Sequence, residues 1–207
     1  MIDFSTVKDI RIPEGTVQRI SCGGAKIWEK PSDVIVTLLD YIQFNKDMVF
    51  NTGVVCTDET KIETKFTREH SDAMYFYGVR NSGNTASVTA YLTNSGAWRF
   101  GNTYKNLTIS TNVEYTMVVD KSGIKLNGTN NKYIATVKDF TANSTLTIGS
   151  SRSTSGALTS AQFLGKVFYF RMYSGGTLLI DWVPAQRSDG VRGFYDKVTK
   201  KFIEPIA

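Results

Sequence analysis

The sequence predicts an all-β protein, an antiparallel β-sandwich, on three observations. Runs rich in β-branched and aromatic residues recur along the chain, several alternating apolar with polar. Gly, Asn, Ser and Asp punctuate those runs, with 17 Gly against 4 Pro. No stretch carries the apolar period of an amphipathic helix. Hydrophobic residues make up 41% and aromatics 12% of 207 residues, enough apolar surface to offset the entropy of ordering the chain. That length suits one large β domain with a small appendage rather than two full domains.

The appendage comes first. Ile12-Pro13-Glu14-Gly15 is a turn, Val17 to Cys22 a strand, and Gly23-Gly24 a hairpin turn into Ala25-Lys26-Ile27-Trp28. A hairpin of this size buries too little surface to stand alone. Residues 1–31 are therefore expected to be an attachment hairpin and linker, and residues 32–207 the sandwich. From Val34 the strands come quickly. In Lys61 to Phe66, Ile62, Thr64 and Phe66 share one face while Glu63 and Lys65 share the other, as in a half-buried strand. Ala73–Val79, Ala86–Leu92, Ala97–Phe100, Glu114–Asp120, Ile124–Asn127, Tyr133–Val137 and Thr145–Gly149 continue the series between turn signals. Phe163–Tyr173 and Thr177–Val183 form a long hairpin about Ser174-Gly175-Gly176, with Pro184 ending the pair. Val191–Tyr195 and Lys201–Ile203 close the chain.

Several function classes are disfavoured. The formal net charge of +5 is spread along the chain, and the small cluster Lys197, Lys200 and Lys201 reads as a solvated turn, so no nucleic-acid partner is expected. The first residues lack the apolar core of a secretory signal, and no apolar stretch is long enough for a membrane span, so neither export nor membrane insertion is expected. Cys22 and Cys56 read as small strand residues in a reducing compartment rather than as a disulfide framework. On that view the sequons at Asn106, Asn127 and Asn143 carry no weight.

From Leu38 to Phe202 the order of residues resembles the laminin-G-like or concanavalin-like jelly roll of many bacterial and phage proteins. The resemblance rests on Tyr41-Ile42-Gln43-Phe44 with Asn51-Thr52-Gly53, on Tyr115 to Asp120 with Ile124 to Gly128, and on Leu146 to Ser150. It rests further on Phe163 to Tyr173 and, most specifically, on Asp181-Trp182-Val183-Pro184-Ala185, Asp189-Gly190-Val191, Gly193-Phe194-Tyr195-Asp196 and Phe202. More loosely, Ile12 to Trp28 is similar to leader segments of tail and baseplate proteins from phages and prophages of Gram-positive hosts. The resemblance implies a virion component of tail, baseplate or fibre, the alternatives being a glycan-processing enzyme of the concanavalin-like hydrolase type, a bacterial surface adhesin or a purely structural component. The virion component would assemble in the host cytoplasm, act at the cell surface, join other virion proteins through its leader and self-associate into an oligomer. Its implied target is a host cell-surface glycan.

No catalytic constellation is expected. Some relatives of this sandwich hydrolyse glycosides with two carboxylates across the scissile bond, but the strand-borne Glu-x-Asp-x-x-Glu cluster of those enzymes is missing. Glu59 and Glu63 share a face with Lys61 between them. The single histidine, His70, lies in a polar loop and cannot build a multi-histidine metal site. No cofactor is expected, although family members often bind a structural calcium ion, for which Asp47, Asp58 and Asp196 are the candidate ligands. Glycan recognition asks for flat rings beside planar amides. The best such mixture is Trp98, Tyr104, Arg99, Asn94 and Asn102, with Asn81 and Asn84 adjoining. The competing reading sets Trp98 and Phe100, which alternate with Arg99, into the core.

Overall fold

A computed structural model describes residues 19–22, 25–29, 36–81, 85–93, 96–153 and 155–206. They fall into two compact units, within Met1–Ile35 and Val36–Ala207, whereas the sequence places the boundary after residue 31. In the first unit, β1 (Arg19–Cys22) pairs antiparallel with β2 (Ala25–Glu29), Cys22 opposite Ala25, with a bulge after Ile20. The Gly23-Gly24 turn, Ile12 to Gly15 and the linker lie outside the described residues.

The second unit is the all-β antiparallel sandwich expected from the sequence, with two sheets and no α-helix among the described residues. The small sheet has six strands: β5 (Phe50–Thr57), β14 (Thr141–Ile148), β7 (Met74–Val79), β8 (Ser87–Leu92), β9 (Gly96–Gly101) and β10 (Thr103–Leu107), in that spatial order. The large sheet has ten. Its path runs β13 (Thr129–Asn131), β12 (Gly123–Leu126), β11 (Glu114–Asp120), β6 (Thr60–Arg68), β15 (Gly165–Ser174), β16 (Thr177–Arg187), β17 (Arg192–Asp196) and β18 (Lys201–Ile203). Off that path, β3 (Val36–Leu38) pairs with β16 and β4 (Ile42–Phe44) with β15. Consecutive strands such as β5 and β6 lie in different sheets, which locks the two layers together.

Alternation decides what fills the space between the sheets. On β6, Ile62, Thr64 and Phe66 are buried while Lys61, Glu63 and Lys65 are partly exposed, as the sequence pattern predicts. Aromatic rings bridge the layers in one connected cluster, in which Phe163 meets both Phe44 and Phe66. Phe66 of β6 meets Phe76 of β7 at 4.5 Å, and Phe50 of β5 meets Phe194 of β17 at 4.8 Å, with Trp182 stacked on Phe194 at 5.4 Å. Arg68, at the end of β6, is fully buried. Its guanidinium donates to the carbonyls of Ile109 at 2.8 Å and Asp72 at 3.0 Å, and to that of Ser71.

Two sequence expectations need correction. Tyr133–Val137 is not a strand: its contacts with the edge of the small sheet are single bonds, Ile134 N–H to Tyr104 O at 3.1 Å and Ala135 N–H to Thr103 Oγ1 at 3.2 Å, rather than a ladder. The alternation there reflects packing, because Tyr133 stacks on Phe100. Pro184 ends the β15–β16 pairing, whose register stops at Phe170–Trp182, but β16 runs on to Arg187 against β17. A proline is tolerated where one neighbour departs and no donor is needed on that side. Of the C-terminal signature, Trp182 and Phe194 are buried, whereas Tyr195 and Phe202 are only half-buried.

Candidate functional site

On β8 and β9 the pairs Val88–Phe100 and Ala90–Trp98 point inward, so Thr89–Arg99 between them points outward. The outward row continues on both sides: Arg99 faces Tyr104 of β10, and Thr89 faces Gly78 of β7, which faces Thr147 of β14. Two residues further along β8, about 7 Å by strand geometry, Tyr91 pairs with Tyr75 on the same face. Those rings touch at 4.6 Å between centroids, tilted by 39°. The Arg99 guanidinium lies 5.5 Å from the centre of the Tyr104 ring, a cation–π contact. A bulge at Phe76 keeps Tyr75 outside while Phe76 and Tyr77 turn in, and Arg80 reaches back so that its Nη1 donates to Tyr75 Oη at 3.2 Å. All five side chains, Tyr75, Arg80, Tyr91, Arg99 and Tyr104, are partly exposed.

The Gly149–Phe163 loop, closed at its base by Phe163 N–H donating to Gly149 O at 2.8 Å, lies against the middle of this face, where Thr89 and Thr147 are buried. It docks along β7 through Arg152 N–H to Gly78 O and Arg80 N–H to Arg152 O, at 3.2 and 3.1 Å. Ser151 rests against Gly78, where a Cβ would come within 2.7 Å of the Ser151 Cβ. The absent side chain at Gly78 is what lets the loop approach.

The sequence-predicted site residues are only partly brought together. Arg99 and Tyr104 meet on the outer face. Trp98 does not join them: it is 1% exposed, packed against Tyr77 and Phe66, so it cannot stack on a sugar. Asn81 is engaged by its own turn, its Oδ1 accepting from Ala86 N–H at 2.9 Å and its Nδ2 donating to Thr85 Oγ1 at 3.2 Å. Asn102 fastens the neighbouring segment, accepting from Lys138 N–H at 2.9 Å. Both amides serve the scaffold. Asn94 and Asn84 lie outside the described residues. Sequence reasoning does not find Tyr75, Tyr91 and Arg80. The signal for them is the polar-face parity of β7 and β8, which the bulge at Phe76 hides.

Elsewhere several carboxylates are engaged. Glu59 pairs with Lys121 at 2.5 Å, which lowers its pKa, and Glu63 pairs with Lys61 at 2.6 Å and accepts from Tyr173 Oη at 3.1 Å. Asp196 accepts from Asp181 N–H, Val198 N–H and Thr199 Oγ1, an arrangement that shapes the β17–β18 turn. Asp58 lines a shallow cleft with Glu59 and Asp139 in which the Lys121 ammonium already sits, and Asp47 is exposed. No group of three or more His, Cys, Asp or Glu able to hold a metal ion occurs among the described residues. His70 is exposed, and Cys56 is a buried free thiol whose pKa burial pushes up to about 12.

No family model and no curated protein matches the sequence. Among solved structures, the chain is similar to the native heptameric SAP-like pentraxin from Limulus polyphemus, at 12% identity and a TM-score of 0.46, covering 71% of this chain and 77% of that one. A likeness this distant says nothing about ligand or assembly.

Proposed function

We propose that the protein is a non-enzymatic carbohydrate-binding component of a phage or prophage virion, which meets the host surface through the outer face of the small sheet. The observation that carries the binding reading is the convergence of two tyrosine-bearing pairs, Tyr75–Tyr91 and Arg99–Tyr104, on one partly exposed face. Aromatic rings supply flat apolar area for sugar faces, and guanidinium and phenol groups supply hydrogen bonds to hydroxyls. The rigid strands hold those groups in place without ligand-induced ordering.

A non-catalytic role is supported by the small sheet's composition, since none of its strands carries Asp or Glu and glycoside hydrolysis needs two carboxylates at the bond. The virion setting, attachment through residues 1–31, self-association and action at the host surface rest on the sequence resemblance. No helix among the described residues is long and apolar enough to cross a membrane.

The test is glycan-array binding with host cell-wall polysaccharides, comparing the wild type with Tyr104→Ala and monitoring melting temperature. Loss of one stacking ring should weaken binding by about 1–3 kcal/mol, as for bases stacked on aromatics, with the melting temperature little changed. Binding that survives both Tyr104→Ala and Tyr91→Ala at full strength would place the ligand elsewhere.

A further inference from the structure

The outer faces of the two sheets are charged in different ways. On the large sheet four of the cations are answered by carboxylates: Lys61 by Glu63, Lys65 by Glu114, Lys166 by Glu69 and Arg171 by Asp181, at 2.6 to 3.7 Å. The remaining ion pairs among the described residues, Lys121–Glu59 and Arg187 with Asp189 and Glu204, also belong to that sheet's turns and ends. The small sheet is built from acid-free sequence. No Asp or Glu occurs between Asp72 and Glu114, a span that includes β7 to β10, and none occurs in β5, β14 or the Gly149–Phe163 loop. Its outward Arg99 lies over the Tyr104 ring instead.

We infer that the ligand of this face is an acidic polysaccharide, its anionic groups taken by Arg99 and its sugar rings set against Tyr104, Tyr75 and Tyr91. The inference rests on the carbohydrate-binding reading and names the substrate class of that site. A guanidinium presents a planar fork of donors that matches carboxylate, sulfate and phosphate oxygens. Because no strand of the sheet bears a carboxylate, an incoming anion meets no like charge from the sheet itself. A neutral glycan would gain nothing from this segregation of charge. A nucleic acid would need more of it: its affinity grows with the number of phosphates neutralised, and one guanidinium neutralises too few to hold a strand at physiological salt.

The experiment measures binding of the full chain by calorimetry to dextran sulfate, polygalacturonate, neutral dextran and an oligothymidylate, at low and physiological salt. It uses the wild type, Arg99→Glu and a control, Lys201→Glu, in which an exposed cation of the large sheet is reversed. Both substitutions lower the formal net charge of +5 by two, so position alone distinguishes them. At least one acidic polysaccharide should bind about tenfold more tightly than dextran, weakening with salt, and Arg99→Glu should cost about tenfold or more while Lys201→Glu costs less than about twofold. Dextran binding as tight as that of the acidic polymers, untouched by Arg99→Glu, would overturn the inference while leaving the carbohydrate reading in place. Equal losses in the two variants would reduce the effect to net charge and overturn the inference. Binding to no polysaccharide, or tighter binding to the oligothymidylate, would overturn both. Circular dichroism melts of each variant establish that the fold is retained.

Discussion

Gly78 sits at the centre of the small sheet's outer face, where its missing side chain shapes the site. A Cβ there would press on Ser151 Oγ, come within 2.7 Å of Ser151 Cβ and lie 3.1 Å from Thr89 Cγ2. Both neighbours are short side chains, 0% and 2% exposed, with nowhere to move. Gly78→Ala should therefore destabilise the fold by about 1–3 kcal/mol through overpacking, read as a shift in the urea midpoint. Arg68 is the residue whose loss should cost most among the buried polar groups. Burial lowers its pKa, yet the guanidinium stays charged and satisfies carbonyls of two loops. Arg68→Met should cost about 3 kcal/mol by leaving those carbonyls unanswered. Cys56 should be inert in the folded protein: in a Cys22→Ser background, a thiol reagent at pH 8 should label it only after denaturation, since its thiol is buried and titrates at about 12. Trp98 shows where sequence reasoning stops at this scale. Alternation puts Trp98 and Arg99 on opposite faces, but only the pairing of Ala90 with Trp98 reveals which face is the core.

At the scale of elements, turns are the legible feature. Gly175 and Gly176 adopt positive φ of 53° and 84° between β15 and β16, and Asn127-Gly128 adopts 45° and 84° between β12 and β13, as glycine- and asparagine-bearing hairpin turns require. Apolar alternation misleads where it comes from packing rather than pairing. Tyr133 is drawn in by the Phe100 ring, and the chain around it follows β10 without a ladder. The amides expected to greet a sugar are legible as turn residues but not as anchors, because the partner of Asn102 is Lys138, far along the chain. Asn102→Ala should remove that anchor at a cost of about 1 kcal/mol, and amide hydrogen exchange should quicken in residues 133–140 while β8 and β9 keep their protection. Unchanged exchange in that segment would show that the Asn102 bond does not hold it.

Among the described residues, the compact unit Val36–Ala207 contains both sheets of the sandwich and its aromatic core. A protein lacking residues 1–31 should keep a β-type circular dichroism spectrum and a cooperative melt, and loss of either would assign that segment to the core. The sandwich is readable from strands and turns because each local choice agrees with the global fold. The proposed binding face is not, because it depends on strand neighbours such as β7 and β14 that are distant in sequence, and on a bulge that reverses parity. Its segregation of charge is present in the sequence as acid-free stretches, but those acquire meaning only once β5, β7 to β10 and β14 are known to share one sheet. We propose this face as the ligand-binding surface. The most direct test is nuclear magnetic resonance titration of the labelled protein with dextran sulfate, following backbone amides and arginine side chains. Saturable shifts centred on Tyr75, Tyr91, Arg99 and Tyr104, with the outer face of β15 and β6 silent, are predicted. Shifts centred instead on the large sheet around Phe168 and Tyr173, or no saturable shifts at all, would contradict it.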